Sequence, residues 1–299
     1  MRTRLRVAIA SGKGGTGKTT VATSLALVLA DAGSVEFLDC DVEEPNAHLF
    51  LKPTIERREK VEMPVPQVDE DRCTRCGRCA EVCQFKAIAV LKDSVLTFPE
   101  LCHGCTGCWV LCPEQAISAT GREIGTVESG WASARPTRLE GAEGQVRCVG
   151  FHHGWLRVGE AMSVPLIRAV KRQAREADFT VLDAPPGTSC PVVESVKDAD
   201  VVVLVTEPTP FGLNDLELAA DMAAAMGRVA AVVVNRAGIG DGRVRGFCRS
   251  RGLPLLLEVP FDRRIAEAYS RGEPLVAAFP AYRAKFAELG RSLQGLARR

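Results

Sequence analysis

Two groups of residues in this chain have the types and spacing needed for chemistry, and the denser group is cysteine. Eight of the 12 cysteines fall between Cys73 and Cys112. They form two runs, Cys73-x-x-Cys76-x-x-Cys79-x-x-x-Cys83 and Cys102-x-x-Cys105-x-x-Cys108-x-x-x-Cys112-Pro113. In such runs three closely spaced thiolates wrap one iron–sulfur cluster, and the fourth ligates the neighbouring cluster. The spacing therefore assigns Cys73, Cys76, Cys79 and Cys112 to one [4Fe-4S] cluster, and Cys102, Cys105, Cys108 and Cys83 to a second. Zinc favours cysteine pairs separated by a longer loop, which this pattern lacks. Gln84 stands where the first run would carry its proline; that proline shapes a turn and is not a ligand. Both ligand sets are complete, which points to electron-transfer or structural clusters and away from an open catalytic iron. Ile88 and Ile117 occupy matching positions after the runs and are expected to shield the clusters, helped by Phe85.

The second group is Gly12-Lys13-Gly14-Gly15-Thr16-Gly17-Lys18-Thr19-Thr20. Glycines at this density let successive backbone N–H groups face phosphate oxygens without Cβ clashes. A helix starting at the end of the loop adds its positive dipole end. Lys18 is expected to reach the β- and γ-phosphates of a nucleotide, and Thr19 to ligate Mg2+.

Elements must position both groups. Leu5 to Ala10 is an apolar run that reads as a buried strand, residues 19–32 carry helical spacing, and residues 35–38 read as a second strand. The glycine loop thus sits in the strand–loop–helix frame that a phosphate loop requires. Residues 52–71 are charged, hold three prolines and read as a linker before the cysteine block. Residues 121–150 are glycine-rich and non-helical, with weak strand signals around Val127 and Val146. Alternation resumes with a helix at 164–177 and a strand at 179–183. Strands at 201–206, 229–235 and 254–259 and helices at 213–226 and 281–296 follow. This order predicts a doubly wound, mainly parallel α/β sheet interrupted by an inserted α+β ferredoxin-like unit. The expected division is residues 1–64 and 120–299 for the sheet domain and 65–119 for the insert.

Composition sets outer limits. The chain has 299 residues, 46% of them hydrophobic, which suffices for a sizeable core. Its net charge of +1, from 38 basic and 37 acidic residues, gives no nucleic-acid footprint. No apolar run approaches the roughly 20 residues that span a bilayer, and the apolar stretch behind the basic start is too short for a signal peptide. A cytoplasmic protein without stable membrane insertion is expected, and at this chain length metal ligation is a better reading of the cysteines than disulfides.

Lys13 and the loop together resemble the deviant phosphate loop of the MinD/ParA superfamily, within the CobQ/CobB/MinD/ParA nucleotide-binding group. The resemblance covers nearly the whole chain. It implies an ATPase in which Lys13 acts across a dimer interface, so an ATP-dependent homodimer is expected. It implies Asp41 as the residue orienting the attacking water, and Asp39 and Asp183 as carboxylates holding Mg2+ directly or through water. Asn235, Arg236 and Pro260 are implied at the base. The segment Val205-Thr206-Glu207-Pro208-Thr209-Pro210 also resembles the family but suggests no role. Cys40, Cys148 and Cys248 read as small buried hydrophobes, and His152 and His153 as surface or interface residues. Cys190 follows the Asp183 loop and could bind an extra metal between subunits. The function implied is ATP-gated electron transfer through two clusters to a redox partner that the sequence does not name. A cluster carrier or maturation ATPase of the Mrp type, serving an apo-metalloprotein, is the alternative. A MinD-like positioning ATPase ranks behind both.

Overall fold

The computed structural model describes residues 4–134 and 147–298. Eleven strands are present among them: β1 (Leu5–Ala10), β2 (Val35–Asp39), β3 (Thr54–Val68), β4 (Ile88–Val90), β5 (Val95–Thr97), β6 (Ile117–Ser133), β7 (Cys148–Leu156), β8 (Phe179–Asp183), β9 (Val201–Thr206), β10 (Val229–Ala237) and β11 (Leu255–Pro260). Nine form one sheet in the order β11-β10-β9-β1-β8-β2-β7-β6-β3. From β11 to β7 all neighbours run parallel, while β6 and β3 add an antiparallel edge. The expected mainly parallel α/β sheet is therefore present.

The central strands read as continuous apolar runs because both faces are covered. β9 is Val-Val-Val-Leu-Val-Thr and is buried at every position. On one face Leu25, Phe286 and Leu293 pack against Val7, Phe37 and Val203. On the other, Leu166, Ile167 and Leu216 pack against Ala8, Leu182 and Val202. The last helix (Ala281–Ala297) spends its apolar side on the first of these cores, through Phe286, Leu289 and Leu293. The parallel order places the carboxyl ends of β1, β2, β8 and β9 side by side, where ligands of such sheets bind.

Two expectations need correction and a third is extended. Residues 54–68 are a 15-residue strand, not a linker. β3 is the sheet edge, so Pro64 and Pro66 can leave the ladder on the free side, and its charges face solvent. The weak signal at Val127 belongs to a 17-residue strand, β6; that at Val146 lies outside the described residues. His152 and His153 on β7 are buried, not superficial. They point to opposite faces and each meets a carboxylate: His152 Nε2 lies 2.6 Å from Glu36, and His153 Nε2 lies 2.7 Å from Glu128. Burial of an imidazole is tolerable only with such partners.

The cysteine segment lies between β3 and β6, which continue the chain across both expected insert boundaries. It holds the small β4–β5 hairpin and two short helices, Arg78–Val82 and Gly107–Val110. A charged cluster ties it to the sheet. Arg122 of β6 reaches both Glu160 and, at 2.9 Å, Glu100, while Arg157 meets Glu100 at 2.7 Å.

Candidate functional site

The phosphate loop joins β1 to the helix Lys18–Leu29. Two of its glycines are required by local geometry. Gly17 has a φ of 95°, and a Cβ there would stand 2.3 Å from Asn235 Nδ2. A Cβ on Gly12 would stand 2.2 Å from the Asp215 carbonyl oxygen. Asn235 Nδ2 donates to the Thr16 carbonyl at 2.9 Å, so the end of β10 braces the loop. Lys18 is buried at the helix start.

Asp39, Asp41 and Asp183 lie close enough behind the loop to feel one another's charge. Asp39 and Asp183 are register partners at the ends of β2 and β8. Thr19 Oγ1 donates to Asp183 Oδ2 at 2.6 Å, whereas Asp183 Oδ1 is buried with no hydrogen-bond partner. Asp39 accepts from the Ala47 amide at 3.0 Å and the Asp41 amide at 3.2 Å. Burial pushes the Asp183 carboxyl up to about 7, against the opposing pull of Lys18 and Thr19. Burial also lifts Asp41 to about 6, again with Lys18 opposing. Asp39 is raised well above the usual range by burial and by the charge of Asp183. Buried carboxylates with an orphaned oxygen call for a neutralising partner, a proton or a cation. Mg2+ fits that demand: Thr19 and Asp183 would hold it, with phosphate oxygens and water supplying the remaining ligands.

Lys13 is held within its own chain. Its Nζ meets Glu207 Oε1, and Arg236 Nη1 donates to Glu207 Oε2 at 2.9 Å. Burial alone would raise the Glu207 pKa, but the Lys13 hydrogen bond and the two cations outweigh it and hold the carboxyl below its usual range. Glu207 was visible in the sequence only as part of a segment without a role. The missing signal was spatial, because β9 lies directly beside β1.

An open cleft of about 790 Å³ begins at the loop. Gly15, Thr20, Asn235, Arg236, Pro260 and Tyr269 line it, so the residues expected at the base share one wall system. Phe50 meets Tyr269 at a tilt, with ring centroids 4.9 Å apart. That contact ties the cleft to the helix Ala47–Leu51, which follows Asp41 and precedes β3.

The cysteine segment forms two further cavities. Cys73, Cys76, Cys79 and Cys112 line one of about 370 Å³, together with Val68 and Ile117. Cys83, Cys102, Cys105 and Cys108 line another of about 400 Å³, with Ile88 and Phe85. Ile117 and Ile88 thus each border one cavity, while Phe85 is part-exposed and stacks on His103 at 3.6 Å. The two runs repeat each other's backbone. Arg75 and Gly104, Gly77 and Thr106, and Lys86 and Gln115 are matched positions, and all six have positive φ. Four sulfurs accept backbone N–H groups in the same repeat: Cys73 from Arg75 and Cys102 from Gly104, each at 3.4 Å, Cys83 from Ala87 at 3.2 Å, and Cys112 from Ala116 at 3.3 Å. Such donors favour thiolate charge.

Among the described residues no three Cys, His, Asp or Glu side chains converge as a single-ion site requires. A cubane cluster does not ask for that convergence, since each iron takes its own thiolate and the ligands stand around a void. The residues present fit such a group. Cys190 is exposed at the start of the helix Cys190–Val196 and belongs to no ligand cluster among the described residues. Cys40 and Cys248 are buried as expected, but Cys148 is exposed, because it opens β7 at the sheet margin. Among the described residues no helix is long and apolar enough to cross a membrane.

Comparison with known proteins agrees with the α/β sheet and its phosphate loop. The CobQ/CobB/MinD/ParA nucleotide binding domain family matches residues 7–275. An uncharacterized protein of Methanocaldococcus jannaschii is 36% identical over 217 residues, covering 71% of this chain and 70% of its own. An iron-sulfur cluster carrier protein of Pyrococcus abyssi is 26% identical over 292 residues, covering 91% and 79%. Among solved structures, the septum site-determining protein MinD of Pyrococcus horikoshii, in complex with Mg-ADP, superposes with a TM-score of 0.59 at 18% identity. That match covers 99% of this chain and 98% of the other.

Proposed function

The chain belongs to the CobQ/CobB/MinD/ParA nucleotide-binding family, and we propose that it hydrolyses ATP to control electron transfer through two [4Fe-4S] clusters. One observation carries the redox half: two cysteine quartets, interleaved in sequence, each line a single cavity. Cys73, Cys76, Cys79 and Cys112 would hold one cluster, and Cys102, Cys105, Cys108 and Cys83 the other. Bound there, the clusters supply one-electron chemistry.

The remaining steps belong to side chains of this chain. The loop amides and Lys18 bind the nucleotide phosphates, and Asn235, Arg236 and Pro260 flank the base. Thr19, Asp183 and Asp39 would hold Mg2+, directly or through water. Asp41 would orient water for attack on the γ-phosphate, and Lys13 from a second copy would stabilise the charge that develops. The helix Ala47–Leu51 lies between Asp41 and β3, so a movement of Asp41 would be felt by the strand that leads to Cys73.

Cluster delivery to an apo-metalloprotein is a second reading. It is favoured by the likeness to the Pyrococcus abyssi iron-sulfur cluster carrier protein and by the exposure of Cys190. Anaerobic purification with iron and sulfide counting tests both readings, followed by electron delivery to an acceptor with ATP or ADP. Gated transfer predicts about eight irons per chain and an ATP-dependent rate. Transfer of iron to an apo-protein, lost in Cys190→Ala, would favour the carrier instead.

A further inference from the structure

A carboxylate at the edge of a phosphate site is chemically out of place, since it repels the anion the site must bind. Glu207 is such a group. It is only 7% exposed, and its backbone is fixed by the start of the helix Pro210–Ala225. Thr209 Oγ1 accepts from the Gly212 amide at 3.0 Å, and a Cβ on Gly212 would stand 2.2 Å from the Glu207 carbonyl oxygen. The side chain therefore leaves a rigid turn and faces the phosphate loop.

Its two oxygens are divided between two cations from separate elements. Oε1 meets Lys13 of the loop, and Oε2 meets Arg236 of the cleft wall. Arg236 holds a φ of 52°, a left-handed conformation that costs a non-glycine residue energy and that the contact with Glu207 helps to offset. The charge is thus matched inside one chain. A lysine paired this way cannot at the same time pair with a phosphate of another chain.

We infer that Glu207 is an intrachain clasp that keeps Lys13 and Arg236 neutralised until a nucleotide polyanion displaces it. It makes the lone chain a weak partner, and it opens only when phosphate charge arrives to compete for the same two cations. The clasp rests on the ATPase reading for its purpose, but its geometry can be tested without nucleotide.

The test uses the full chain, purified anaerobically. Acetylation of Lys13 by acetic anhydride is followed by mass spectrometry in the nucleotide-free protein. Glu207→Gln, which keeps the shape and removes the charge, should raise the Lys13 rate about fivefold, the worth of one part-buried ion pair. Arg236→Met should move it the other way or leave it unchanged, because Glu207 then serves Lys13 alone. A Lys13 rate in Glu207→Gln equal to or below that of the parent would overturn the clasp. The ATP concentration for half-maximal dimer formation, read by light scattering, should fall in Glu207→Gln by a similar factor. An unchanged or higher requirement would also overturn the clasp as a restraint on dimerisation. A parent chain that never dimerises with ATP, while Lys13 reactivity still responds to Glu207→Gln, would instead retire the trans-acting lysine.

Discussion

The phosphate site and the cysteine segment reach order by opposite means. The first is held by burial. Its strands are buried almost throughout, its loop is braced by Asn235, and its carboxylates sit in the interior with raised pKa values. The second has short elements and part-exposed cysteines, and its helices Arg78–Val82 and Gly107–Val110 contain no buried residue. Its order comes from a repeated backbone path that turns amides toward sulfur. A site built by burial can be assembled before its ligand arrives, whereas a segment this thinly packed would draw much of its stability from the clusters proposed for it.

Breaking one cluster should have the largest effect. Cys73→Ala with Cys112→Ala should remove about half the iron, because both ligands serve one cavity. Cys73→Ala with Cys83→Ala should remove nearly all of it, because each cavity loses a ligand. Iron and sulfide counting on the two double variants checks the crossover; the reverse pattern, nearly all iron lost in Cys73→Ala with Cys112→Ala and about half in Cys73→Ala with Cys83→Ala, would mean that each run binds its own cluster.

The next effect is on the other side of the comparison. Lys18→Ala should weaken ATP binding by about thirtyfold, the worth of about 2 kcal/mol for a charged phosphate contact. Iron content should stay unchanged. Isothermal titration and iron assay on the same sample separate the two sites.

Asp183→Asn sharpens the account of burial. The Asp183 carboxyl is raised from 3.8 to about 7, so the folded chain binds a proton that the unfolded chain releases in that window. Stability of the magnesium-free protein must then fall as pH rises from about 4 to 7. The variant should lack that loss and gain on the order of 2 kcal/mol at pH 7, while losing magnesium-dependent nucleotide binding. Urea unfolding at pH 5 and pH 7 measures it, and a variant less stable than its parent at pH 7 would show the carboxylate to be structural.

The smallest effect concerns the tie between the regions. Glu100 is exposed and meets Arg122 and Arg157. Glu100→Ala should cost under about 1 kcal/mol, yet it should speed proteolysis around residues 98–104 if the pairs hold the segment against the sheet. Limited proteolysis under native conditions reads this directly.

What could be read from sequence follows the same divide. The grouping of cysteines around two cavities follows the sequence spacing, because closely spaced thiols on one turn reach the same void. The phosphate loop was legible because glycines, Lys18 and Thr19 are contiguous. Glu207 was not, since its partners Lys13 and Arg236 meet it only through the sheet order β10-β9-β1. The strand at 54–68 was hidden by Pro64 and Pro66, which an edge position tolerates. His152 and His153 looked superficial because sequence does not show that Glu36 and Glu128 stand beside them.

The central claim is that nucleotide state reaches the clusters. Its most direct test is the reduction potential of the anaerobically purified protein, followed by electron paramagnetic resonance with ATP and with ADP. A potential that shifts with ATP, and no longer shifts in Lys13→Ala, is the result expected. Identical potentials and spectra in both nucleotide states, together with an unchanged rate of electron delivery, would contradict the coupling and leave two independent sites on one chain.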